Sequence, residues 1–173
     1  MILTLKRTPG IYLIGFMGCG KSTVGKMLAK ELGWPFSDID DEIEREQHCS
    51  ISAIFDTRGE PAFRDIEHAA IQRRVRIIEQ GHPCVVALGG GAFAEERNRE
   101  LLENNGVTIW LDPPFHVLKR RVEGATHRPL ARDPVQFERL YLTRRASYQL
   151  AHYHITESES PAAVAAILKL PLF

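Results

Sequence analysis

Gly15, Gly20, Lys21 and Ser22 stand in the spacing Gly-x4-Gly-Lys-Ser, inside the stretch Gly15-Phe-Met-Gly-Cys-Gly-Lys-Ser-Thr23. These residue types in this order suit one task, holding a polyphosphate. Glycines at 15, 18 and 20 let backbone N–H groups approach an anion that a Cβ would keep at a distance. A helix opening near Lys21 aims the positive end of its dipole at the same anion. Lys21 can reach the β- and γ-phosphates, and the Ser22 hydroxyl can ligate Mg²⁺ beside them. Gly18, Cys19, Gly20, Lys21, Ser22 and Thr23 are therefore the expected nucleotide contacts. Four fixed positions match by chance in fewer than ~1 in 100 chains of this length at ordinary glycine frequency, so the pattern reads as nucleoside triphosphate binding.

Five further groups carry chemistry, and most have a plainer alternative. Asp38-x-Asp40 places two carboxylates at the end of an apolar run, where alternation along a strand would point both the same way. Such a pair suits Mg²⁺, through water, together with a contact to a hydroxyl that must lose a proton; helix capping by Asp40 or Asp41 would explain one acid but not two. Gly89-Gly90-Gly91 after an apolar strand implies close backbone approach or positive φ, and a loop that faces substrate. Arg64 lies in Glu60-Pro-Ala-Phe-Arg-Asp-Ile-Glu67, where pairing with Glu67 at i+3 is the simple reading. Arg144 falls within the apolar face Phe137, Leu140, Tyr141, Tyr148, while Arg145 lies about a quarter turn away. An inward Arg144 needs an anion, either a ligand or a structural partner. Arg128-Pro129-Leu130 sits in an irregular arginine-rich stretch, either a lid over the phosphoryl group or a solvated loop.

The elements that must position these groups alternate along the chain. Ile11–Ile14 reads as a buried strand, and Val24, Met27, Leu28 and Leu32 mark a helix that Gly33 stops. Strands are expected at 35–39, 84–88, 107–111 and 153–155. Helices are expected from Ile43, over 51–55, over 60–80 with Phe63, Ile66, Ala70 and Ile77 in register, and then over 95–104, 113–122, 134–150 and 161–170. Residues 123–133 break the periodicity and form the expected lid. Such alternation implies a parallel sheet covered on both faces, with ligands at the carboxyl ends of its strands. The phosphate loop, the Asp pair and the triple glycine each follow a strand, so all three fall on that edge.

With 173 residues, 44% hydrophobic and 25% charged, the chain is long enough for one domain with its own core, spanning 1–173. Lys plus Arg and Asp plus Glu both number 22, a balance that argues against nucleic acid or a membrane surface as partner. No apolar run reaches the ~18 residues of a membrane span, and a signal-peptide core is absent. Cys19, Cys49 and Cys84 lack metal-like spacing and fit free thiols in a cytoplasmic protein.

Taken together, the motifs resemble shikimate kinase over nearly the whole chain. The match runs through Gly15 to Thr23, Asp38-Ile-Asp40, Ile51-Ser-Ala-Ile-Phe-Asp-Thr-Arg-Gly-Glu-Pro-Ala-Phe-Arg-Asp-Ile-Glu67, Gly89-Gly-Gly91, Arg128-Pro-Leu130, and Arg144 with Tyr148. The resemblance implies a three-layer αβα phosphate-loop fold of the nucleoside monophosphate kinase type, with the first strand central in a five-stranded parallel sheet. It implies transfer of the ATP γ-phosphate to the 3-hydroxyl of shikimate by a protein expected to be monomeric. By this resemblance, Lys21, Asp40 and Arg128 are catalytic, with Asp40 the base. Asp40, Arg64, Gly89, Gly90, Gly91 and Arg144 hold substrate, the two arginines on its carboxylate. Arg121 lies beside the adenine, and Ser22 and Asp38 serve Mg²⁺. Cys19 replaces a serine usual in the loop, where the backbone does the binding.

Rival readings are a gluconate or other small-molecule kinase and a nucleotide-dependent switch. Asp56-Thr-Arg-Gly59 fits the Asp-x-x-Gly switch pattern formally but follows no buried strand, and Asn-Lys-x-Asp is absent. The Gly59-Glu60-x-x-Phe63-Arg64 segment and the triple glycine oppose the other kinases.

Overall fold

The structure is a computed structural model that describes residues 10–123 and 133–172. Its centre is β1, Gly10–Ile14, buried along its whole length. A strand with no exposed face needs cover on both sides, and the chain supplies helices on both. In order, the elements are β1, α1 (Lys21–Leu32), β2 (Phe36–Asp38), α2 (Ile39–Gln47), α3 (Ile51–Glu79) and β3 (Cys84–Ala87). They continue with a 3₁₀ turn (Ala92–Ala94), α4 (Glu96–Glu103), β4 (Gly106–Leu111), α5 (Phe115–Glu123), α6 (Pro134–Tyr148), β5 (Tyr153–Ile155) and α7 (Ser160–Leu168).

All pairings are parallel, in the order β2-β3-β1-β4-β5. The sequence reading of a five-stranded parallel αβα sheet with β1 in the middle therefore holds. The chain leaves β1 toward β2 and β3 on one side and later toward β4 and β5 on the other. The loop after β1 thus sits where the connections diverge, the place at which such sheets open a ligand crevice. Ile11, Leu13, Val85, Val86 and Ile109 form the sheet's share of the core, and Leu28, Ile71, Phe93 and Ile167 close it from the helices.

Two local departures matter to the site. The chain turns helical at Ile39, so β2 is three residues long and Asp40 belongs to the first turn of α2. Strand alternation therefore does not align the two carboxylates. Asp38 is the N-cap, its Oδ1 accepting from the Asp40 N–H at 3.1 Å, and this short-range bond starts the helix at Ile39, about one turn before the Ile43 that the pattern implies. The second departure is in α3, where the two helices expected at 51–55 and 60–80 abut across Gly59. Its φ of 79° and ψ of 170° bend the run. Pro61 then falls in the first turn of the following segment, where its missing N–H costs little. The buried stripe of that segment passes through Phe63, Glu67, Ala70, Ile71, Val75 and Ile78, which leaves Ile77 39% exposed rather than in the core.

Candidate active site

The first three helical residues after Gly20, namely Lys21, Ser22 and Thr23, precede the first intrahelical bond, from Val24 N–H to Gly20 O at 2.8 Å. Their own N–H groups are among those a helix start leaves for an anion. Gly20 takes φ 98°, a conformation that closes the loop onto the helix and that a side chain would resist. Lys21 Nζ donates to Gly15 O at 2.8 Å and Phe16 O at 3.3 Å, and stands 3.7 Å from Cys19 Sγ. Cys19 itself is 5% exposed, its sulfur beneath the loop and its N–H engaged with Phe16 O. Its side chain thus points away from the phosphate-facing surface. Arg121 reaches from α5 to donate to Gly18 O at 3.1 Å and to Ser158 O, tying the loop to the segment before α7.

Next to the loop, Ser22 Oγ donates to Asp38 Oδ2 at 2.7 Å. A hydroxyl and a carboxylate oxygen so placed are hard donors of the kind Mg²⁺ takes when phosphate and water supply the rest of its shell. Among the described residues no cluster of three or more His, Cys, Asp or Glu could hold a metal by itself. The donor set fits a cation that arrives with a nucleotide.

Beside the phosphate loop, where Gly90 approaches Gly15 O, the Gly89–Gly91 turn is surrounded by charge. A Cβ at Gly89 would stand 2.7 Å from Glu67 Oε1 and 2.9 Å from Asp40 Oδ1. At Gly90 it would stand 3.0 Å from Arg144 Nη1, and at Gly91 it would stand 2.8 Å from Arg64 Nη1 and closer still to Nη2. Each glycine makes room for different ionisable side chains, two of them at Gly89, which is why three are needed in a row. None of the three has positive φ, so close approach is the operative reason. Glu67, fully buried, holds Arg64 Nη1 at 2.7 Å, while the exposed Glu60 holds Nη2 at 3.0 Å. Burial works against the Arg64 charge, but Glu67 and the hydrogen bonds raise its pKa overall.

Among the described residues, Asp40 Oδ1 and Glu67 Oε1 are buried oxygens without a hydrogen-bond partner. Burial, with Asp38 and Glu67 as negative neighbours and Lys21 opposing, pushes Asp40 up to about 6. Glu67 is also raised, chiefly by burial, with Arg64 pulling the other way. A carboxyl group poised near neutrality in a cleft is what proton abstraction at physiological pH asks for.

The neighbouring arginines of α6 part company. Arg144 lines the cleft, its guanidinium 5.9 Å from the centre of the Phe16 ring, and Tyr148 one turn on donates to Gly90 O. Arg145 turns outward to Asp112, at 2.8 and 3.0 Å, and stacks over Trp110. The two alternatives left open for an inward arginine are thus shared out: the structural ion pair is Arg145's, and the cleft-facing guanidinium is Arg144's.

Lys21, Ser22, Thr23, Asp38, Asp40, Gly90, Arg121 and Arg144 line one cleft of about 820 Å³, with Met17, Ile51, Leu88 and Ser160 among its other walls. That is room for two small substrates side by side. Arg64, Gly89 and Gly91 adjoin the cleft at the Gly90 turn without being among its walls. Arg128 and most of the expected lid lie outside the described residues. Sequence reasoning passed over Glu67 except as a surface partner of Arg64. The helical-face argument applied to Arg144 would have found it, because Glu67 shares a face with Phe63 and Ala70. The Tyr148 hydroxyl bond to Gly90 O has no comparable signal.

A family model for shikimate kinase matches residues 17–170. The chain belongs to the shikimate kinase family. A shikimate kinase of Persephonella marina is 42% identical over 153 residues, covering 87% of this chain and 91% of that protein. One from Caulobacter vibrioides is 42% identical over 162 residues, covering 92% and 79%. Among solved structures, the shikimate kinase of Acinetobacter baumannii in complex with shikimate superposes with a TM-score of 0.85 at 34% identity, covering 94% of this chain and 92% of that one. Membership makes the chain an ATP-dependent phosphotransferase, and neither the gluconate-kinase nor the switch reading is favoured. Among the described residues no helix is long and apolar enough to cross a membrane.

Proposed function

We propose that this shikimate kinase family member acts as one domain and one chain in the cytoplasm, moving the ATP γ-phosphate to the 3-hydroxyl of shikimate. The observation that carries the reading is the convergence of Arg144, Arg64 and Asp40 on the Gly89–Gly91 turn, at a cleft that Lys21 also lines. A small hydroxy acid offers a carboxylate for the two guanidiniums and hydroxyls for Asp40. The loop residues Gly18 to Thr23 cradle the phosphates, and Arg121 lies at the end of the cleft suited to the base. Ser22 and Asp38 would hold Mg²⁺, which when bound offsets phosphate charge.

In the reaction the substrate oxygen attacks the γ-phosphorus as Asp40 accepts its proton, and the bond from the γ-phosphorus to the bridging oxygen breaks to release ADP. Lys21 stabilises the charge that builds on the phosphoryl oxygens. Arg128, within the lid proposed at about 123–133, joins it on the strength of the Arg128-Pro129-Leu130 motif.

A coupled assay of ADP release tests the reading. Release should need shikimate, with gluconate and nucleoside monophosphates leaving only the background rate. Release driven as well by gluconate would reject it.

A further inference from the structure

Asp112 lies just beyond β4 and outside the walls of the cleft, yet it is only 9% exposed. Its oxygens take Arg145 Nη1 at 2.8 and 3.0 Å and His154 Nε2 at 2.9 Å. Its N–H donates to Ile155 O at 2.8 Å, and β4 is paired on both sides, with β1 and β5. Asp112 is therefore a fixed point on the sheet. Arg145 in turn donates to the Tyr141 hydroxyl and lies 4.8 Å from the Trp110 ring centre. A half-buried ion pair adds little stability over an apolar pair of the same shape, so stability is a weak account of this cluster.

Its geometry offers a better one. Arg144 precedes Arg145, so a rotation of α6 that drew Arg145 off Asp112 would swing Arg144 off Gly90 by the same angle. The rings of Phe137 and Tyr141 pack against Phe16 and Phe115, and that of Tyr148 against Trp110; such non-directional contacts hold α6 to the core but set its rotation less sharply than hydrogen bonds do. Hydrogen-bonded charge is directional. Two hydrogen bonds from α6 to the strand-end loops flank Arg144: the Tyr148 hydroxyl on Gly90 O and, charge-assisted, Arg145 on Asp112.

We propose that Asp112 is a positioning residue which, through Arg145, sets the rotation of α6 so that Arg144 meets the carboxylate of the substrate. The inference rests on Arg144 being the carboxylate contact. It assigns Arg145 and Asp112 a part in substrate affinity although neither touches substrate.

Steady-state kinetics of the full chain test it. Arg145→Met should raise KM for shikimate about tenfold, a misplacement effect, and leave KM for ATP within about twofold. Arg145→Lys should recover most of the loss, and Asp112→Asn should match Arg145→Met, with the double variant no worse than either single one. On shikimate methyl ester, which lacks the anionic group, the gap between wild type and Arg145→Met should nearly close. If Arg145→Met does not fold, Asp112→Asn against wild type on acid and ester carries the same comparison. Unchanged KM for shikimate in Asp112→Asn and Arg145→Met, with Arg144→Ala still losing affinity, would overturn the proposal, as would a tenfold gap that persists on the ester. Wild-type behaviour of Arg144→Ala would instead remove the underlying carboxylate reading.

Discussion

The two ends of the cleft are built in different ways. The phosphate end is one continuous stretch, Gly15 to Thr23, whose binding groups are backbone N–H donors and one lysine. The acid end is assembled from side chains of α2, α3 and α6 around the turn after β3, with Glu67, Asp40, Arg144 and Arg64 each standing where a glycine Cβ would be. A backbone site tolerates exchange of side chains so long as the loop can close. A site made of side chains in mutual contact does not, because moving one charge unbalances its neighbours. The ends should therefore respond differently to substitution.

The largest effect belongs to Lys21. Lys21→Ala should lower kcat by about 10³-fold or more while the circular dichroism melt stays near wild type, since its part is transition-state charge. Loss of the fold would make Lys21 a structural prop of the Gly15 and Phe16 carbonyls.

Asp40→Asn should follow, with kcat down by about 10²–10⁴. The Asp40 carboxyl sits at about 6, so in wild type kcat/KM should rise with pH through that region and level above it, and the Asn variant should lose this limb. Stability runs the other way. A carboxyl raised by folding favours the native state at low pH, and that benefit is lost as pH rises from the unfolded value through about 6. Asp40→Asn should therefore raise the melting temperature at pH 8, by up to about 3 kcal/mol of stability, and change it little at pH 4. A variant destabilised at pH 8 would show that the ionised carboxylate is satisfied in the free protein.

At the acid end, Arg144→Ala should cost about 2–4 kcal/mol in kcat/KM for shikimate, with ATP affinity unchanged. Gly91→Ala sharpens the comparison, because its methyl would displace the Arg64 guanidinium without removing any charge. A rise of about tenfold in KM for shikimate is expected. The smallest effect is at the phosphate end, where Cys19→Ser should leave kcat within about threefold, the loop binding through its backbone. A crippled Cys19→Ser enzyme would contradict the contrast between the ends.

The same contrast explains what could be read from the sequence. The phosphate end is local, so one pattern with its flanking strand and helix specified it, down to the helix start at Lys21. The sheet was legible because Ile11–Ile14 and Cys84–Ala87 are fully buried apolar runs. The acid end depends on long-range approach. That Gly91 exists to admit Arg64, or that Arg145 rather than Arg144 takes Asp112 from 33 residues away, follows from packing between distant elements and cannot be seen in spacing. The reading of Asp38 and Asp40 as strand neighbours failed for a local reason, the Asp38 cap that starts α2 early.

The most direct test of the divided cleft is a pair of equilibrium titrations, ATP and shikimate, on Lys21→Ala and Arg144→Ala. Lys21→Ala should keep its shikimate affinity within about threefold, and Arg144→Ala should keep its ATP affinity to the same margin while losing shikimate binding by about a hundredfold. If both variants lost both ligands alike, the two ends would be one coupled site, and the account of a backbone phosphate cradle facing a separate side-chain clamp would be wrong.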